Sequence, residues 1–146
     1  IYNNVAITAF SVLAMLRLSS KIPLSKVALL MPILLDDNIV GKMTNQRPTS
    51  FDSVITQNKV YLSNFNNRYD DLLPQVVNAI SILLDLNLVS LYGEYVISEN
   101  AEKYESILSR CDSNRLKNIC VVSSKLLKLV KDSDIVNDYR KLNIEL

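Results

Sequence analysis

The chain has 146 residues, 49% apolar and 21% charged, with a net charge of +1 at pH 7. That composition fits one globular domain, able to bury about 70% of the surface its unfolded chain exposes. It excludes a disulfide-stapled scaffold, since there are two cysteines, and a chain that attracts nucleic acid or anionic lipid through overall charge.

In chain order, Val5, Ala9, Val12, Leu13 and Leu16 recur at helical spacing, with Asn3 or Asn4 as the N-cap. "SSKIP" then breaks the helix, because Pro23 disfavours helical backbone at Ile22. Ser25 is expected to cap a second helix through Leu35, which Pro32 either kinks or splits. Leu29, Leu30, Ile33, Leu34 and Leu35 ring that helix. An all-round apolar helix must be covered on every side, by its own core or by a partner. The longest apolar run, residues 27–35, is short of the roughly 17–25 residues a membrane span needs. Residues 5–16 lack the basic start of a signal peptide. A cytoplasmic chain with reduced thiols is expected.

"DDNIVGKMTNQRPTS", residues 36–50, reads as a loop around Gly41 and Pro48. Ser50 opens a third helix to about Asn66, with Phe51, Val54, Ile55, Val60 or Tyr61, Leu62 and Phe65 on its apolar side. After "NNRYDD", a fourth helix spans about Leu73 to Leu86, with Pro74 in its first turn. Its expected core stripe is Val76, Val77, Ile80, Leu83 and Leu84, and Asn87 can take the left-handed position after it. "LVSL" and "EYVIS" about Gly93 then form a hairpin wing, residues 88–98. Helices over about 100–110 and 113–131 follow, the latter with stripe Leu116, Ile119, Cys120, Leu127 and Val130. Ser133 or Asp134 caps a last helix to about Leu142. The expected fold is mainly α with a small β-hairpin. It is a winged-helix-like single domain over residues 1–146, with additional C-terminal helices over about 100–142.

Legible catalytic chemistry is missing from the sequence. There is no histidine, and the two glycines, Gly41 and Gly93, make neither a Walker loop nor a dinucleotide fingerprint. The pairs Asp36–Asp37 and Asp70–Asp71 read as turns or caps. Cys111 and Cys120 lack metal-site or redox spacing and read as buried packing. The expectation is a protein that is not an enzyme, with no cofactor and no metal.

Charge is distributed unevenly. Residues 1–68 carry net +4, residues 69–102 carry net −6 with no Lys or Arg, and residues 103–146 carry net +3. Helix four and the wing therefore form an acidic unit, whereas a DNA reader needs Lys and Arg on the phosphates beside it. Asp85, Glu94 and Glu99 are candidate partner-docking residues at the helix end and hairpin. Residues 113–131 hold five bases and no acid. Lys117, Lys125, Lys128 and Lys131 are candidates for a face toward phosphate or an acidic partner. The alternative is a solvated face with cations near the helix C-terminus, where the dipole favours them.

Three stretches, "KVALLMPILLD", "VVNAISILLDLNLVSLYGEYVIS" and "SSKLLKLVKDSDIVNDYRKLNIEL", occur in an order that resembles the middle components of three-component ABC systems. The small subunit of Lamassu-type SMC/Rad50-like bacterial defence complexes belongs to that group. Asn143 stands where the family's closing motif commonly has Gly. The resemblance implies a non-catalytic adaptor between an SMC/Rad50-like ATPase subunit and an effector, often a nuclease, in anti-phage or anti-plasmid defence. DNA contact would be indirect or weak. The alternative is a winged-helix DNA-binding transcription regulator.

Overall fold

The computed structural model describes residues 2–110, 113–131 and 133–142. The chain is mainly helical, with a small antiparallel sheet in one compact domain. Helix α1 spans Tyr2–Leu18, so Asn3 and Asn4 lie within it rather than capping it. Val12, Ala14 and Met15 are fully buried on α1. The helix packs against α5 (Phe65–Asp85) and α7 (Asn114–Val130).

"KIP", expected as a break, is strand β1 (Lys21–Pro23). It pairs antiparallel with β3 (Tyr95–Ser98), which also pairs with β2 (Val89–Tyr92), giving the order β1-β3-β2. The hairpin is thus part of a three-stranded sheet. Ile22 drives this pairing, placed beside Val96 with both side chains buried in the core. Pro23 is tolerated because β1 is an edge strand with one neighbour.

Helix α2 spans Leu24–Leu34, beginning before Ser25, and Pro32 neither splits nor ends it. Every residue from Lys26 to Leu34 is buried. The apolar ring of this helix is covered by the chain's own core, which removes the need for a partner there. Residues read as a loop include α3 (Asp37–Met43). The Asp36 carboxylate starts it, accepting from the amides of Asn38 at 2.9 Å and Ile39 at 3.1 Å.

The expected third helix divides. Helix α4 covers Phe51–Gln57, opened by a Ser50–Ser53 capping box. Turns over 58–64 follow, and Val60 is 82% exposed there. Helix α5 starts at Phe65, not Leu73, and runs through Pro74. Asp70 and Pro74 are both exposed, so the Asp70 carbonyl that Pro74 leaves without a helical donor lies on the solvent side. Helix α6 (Glu102–Ser109), α7 and α8 (Ile135–Lys141) complete the domain. Asp134 caps α8 by accepting from the Val136 amide at 3.0 Å. Asn143, Cys111 and the closing "NIEL" lie outside the described residues.

Candidate interaction surfaces

The junction of α5 and the β2–β3 hairpin is built by two asparagines in left-handed backbone. Asn87 has φ 58° and Asn100 φ 52°. Asn87 ends α5 as expected: its amide bonds to the Leu84 carbonyl at 3.0 Å and the Leu88 amide to Leu83 at 2.9 Å. That double bond pattern closes the last turn and sends the chain straight into β2. Asn100 Nδ2 donates to the Asn87 carbonyl at 2.7 Å, tying the end of the hairpin to its beginning. The Leu88 carbonyl accepts from the Glu99 amide at 2.9 Å and from the buried Tyr104 hydroxyl. Burial, with the nearby charge of Glu99, pushes the Tyr104 phenol up to about 12, against a lowering backbone hydrogen bond at Glu99. Gly93 occupies the first central position of the two-residue hairpin loop with φ 58°.

This scaffold exposes Asp85, Glu94 and Glu99, but not as one cluster. Asp85 and Glu99 lie at the base of the hairpin, whereas Glu94 lies at its tip. The strands between are four residues long, about 13 Å. Glu99 accepts from Ser90 Oγ at 2.8 Å. The Glu94 carbonyl accepts from the Leu24 amide at 2.8 Å, which fixes the tip against the start of α2.

Between α5, the start of α2 and strand β2 lies an apolar groove of about 200 Å³ that the sequence did not reveal. Its floor is Ala28, Val76 and Ile80, and its walls include Leu24, Val77 and Leu91. Val77 was expected in the core stripe, yet it is 60% exposed, and Leu84 is half-buried. The cause is angular: Val76, Ile80 and Leu83 face α1 and α2, and Val77 is about 100° round the helix from Val76. Nothing in the sequence distinguished these two adjacent valines. Gln75 is half-buried, while Asn78 and Asp85 are exposed.

The basic residues of α7 separate. Lys117, Lys128 and Lys131 are exposed. Lys128 and Lys131 border a hollow of about 220 Å³ with Leu18 and Ser19, while Lys117 is eleven residues up the helix, about 16 Å away along its axis. Lys125 turns inward. Its ammonium donates to the carbonyls of Met43 at 2.8 Å, Thr44 at 2.9 Å and Gln46 at 2.8 Å, closing the C-terminal end of α3. Of the half-buried cysteine and the rest of the expected α7 stripe, Ile119, Leu127 and Val130 are buried and Leu116 and Cys120 pack partly against the core.

Three further side chains, Lys26, Arg68 and Tyr139, cross-link elements of the fold. Buried Lys26 donates to the carbonyls of Val130 and Lys131, the latter at 2.9 Å, at the negative end of α7. Arg68 pairs with Asp36 and donates to the Tyr61 carbonyl at 2.8 Å. Tyr139 donates to the Ser25 carbonyl at 2.7 Å and meets the Tyr69 hydroxyl at 3.0 Å; burial, then that hydrogen bond, raise its pKa. A lysine inside an otherwise apolar stretch was the one available signal for Lys26. Among the described residues, no group of three or more acids, Cys or His is placed to hold a metal, and no helix is long and apolar enough to cross a membrane.

No curated protein and no solved structure matches the chain. A family model does, across residues 7–146. On that match, which covers nearly the whole chain, the protein belongs to the ABC-three component (ABC-3C) system Middle Component 3 family.

Proposed function

We propose that this middle component is a non-catalytic adaptor that links an SMC/Rad50-like ATPase to an effector, as in Lamassu-type defence against phage or plasmids. The observation that carries the reading is the family match over residues 7–146. The resemblance of the three quoted stretches supports the finer assignment to Lamassu-type systems. The lack of histidine and of a phosphate-binding glycine loop supports a binding role over a chemical one. Surfaces of opposite charge on the α5–wing unit and on α7 suit contacts with more than one protein. The cytoplasm is the compartment in which such a complex would meet foreign DNA.

Co-expression of the full chain with the products of the two flanking genes tests this proposal. The expected result is one complex containing all three chains, with nucleotide hydrolysis lost on mutating the ATPase and retained by it when this chain is left out. Hydrolysis or DNA cleavage by the purified chain alone, abolished by a point mutation within it, would overturn the non-catalytic role.

A DNA-binding regulator is the second reading, favoured by the helix α5 that leads directly into the wing. The charge opposes it, since residues 69–102 carry six acids and no Lys or Arg.

A further inference from the structure

We infer that the groove between α5 and the wing seats a basic partner segment that inserts one apolar side chain between Val77 and Leu91. The inference rests on the adaptor reading and adds to it which face is used and what chemistry it accepts. Val77 is 60% exposed, Leu91 48% and Leu24 37%, and all three line the same groove rather than being scattered. Scattered apolar residues on a surface are ordinary; convergence on one concave site is not. At about 200 Å³, the groove is below the roughly 300–1,000 Å³ of small-molecule sites and suits a protein side chain.

The rim decides the partner's charge. Exposed Asp85 follows the groove residue Leu84, and exposed Glu94 is tied through its carbonyl to the groove residue Leu24. Exposed Asp70 sits seven residues before Val77, which places it on the same side of α5 about 10 Å toward the N-terminus. Lys21 offers no counter-charge here. It stacks on the Tyr95 ring at 4.0 Å, on the sheet face opposite Leu91 and Val96. An apolar groove lined without any charged residue, on a segment whose exposed charges on α5 and at the hairpin tip are all acidic, suits a partner segment carrying Lys or Arg around an apolar anchor. The same acids repel DNA phosphates and anionic lipid.

The test uses the complex of the full chain with the other two components of its system. Val77→Glu and Leu91→Glu should each weaken assembly by about tenfold or more. Val60→Glu, at an 82% exposed site in the turns before α5, should leave it unchanged. Circular dichroism of each variant establishes that it is folded. A photocrosslinking residue at Ser81, inside the groove in an otherwise wild-type chain, should capture a Lys- or Arg-bearing segment of one partner, identified by mass spectrometry. That measurement keeps the inference testable if a variant does not fold. Equal assembly of wild type and Val77→Glu overturns the groove while leaving the adaptor reading intact. A Ser81 crosslink to a second copy of this chain, whose α7 carries Lys117, Val121 and Lys128, also overturns it. Wild type that assembles with neither component overturns the adaptor reading and this inference with it.

Discussion

Lys26 joins α2 to the far end of α7 with a single ammonium, and its stem is packed within the helix that forms the centre of the core. Lys26→Met keeps the stem and removes the donor. The Val130 and Lys131 carbonyls then lose a charged partner at the negative end of the helix, a loss of about 1–3 kcal/mol. Urea unfolding of wild type and variant measures it. Tyr104 gives a pH signature of its own. Its phenol is raised from the ordinary 10 to about 12 in the fold, so the native state holds the proton more tightly than the unfolded chain. The stabilisation is complete below pH 10 and is lost as pH rises toward 12. Tyr139 is raised in the same direction. Tyr104→Phe should therefore flatten the fall in stability on the alkaline side while leaving the neutral region insensitive to pH. A series of unfolding curves from pH 8 to pH 12 reads both.

The hairpin and its junction depend on three residues at positive φ. Gly93 has open space around it, with nothing within 4 Å of an added Cβ. Gly93→Val therefore costs backbone strain alone, about 1–2 kcal/mol. Asn87→Gly should be close to neutral and Asn87→Val should cost a similar amount, because the Asn87 position is left-handed as well. Thermal melts compare all three. The hairpin and the end of α5 were legible because turn chemistry is local: Asn87 and Gly93 carry it in their own side chains, or in the lack of one. The Ser50 and Asp134 caps were legible for the same reason. Strand β1 was not. Three residues ending in Pro become a strand only because Val96, far along the chain, presents an edge to Ile22. The "NNRYDD" stretch looked like punctuation, yet Arg68 is fixed to Asp36 and to the Tyr61 carbonyl, and the helix continues through it. The acids of the candidate surface could be named from charge alone. The groove could not, since it depends on which of two neighbouring valines faces inward.

At the scale of the whole molecule, charge segregation should govern rates more than final affinities. Asp85→Lys with Glu94→Lys should leave the fold intact and slow assembly with the partner by about an order of magnitude at low ionic strength, with the difference shrinking as salt rises. Glu99→Lys is expected to do less for assembly, because its carboxylate is engaged with Ser90 at the wing base. Stopped-flow mixing across salt concentrations distinguishes them. Duplex DNA should bind without sequence preference, lacking the roughly 4–10 kcal/mol that separates a specific site from a random one. A titration of unrelated duplexes at physiological salt checks this. Lys26 and Lys125 also make the chain its own conformational reporter. An amine-reactive label should modify Lys117, Lys128 and Lys131 promptly in the native protein, because they are exposed. Lys26 and Lys125, held on carbonyls at the ends of α7 and α3, should remain unlabelled until those helix ends open. The order in which lysines acquire the label would then time the opening of the α7 end and of the α3 end separately, with no probe added to the sequence.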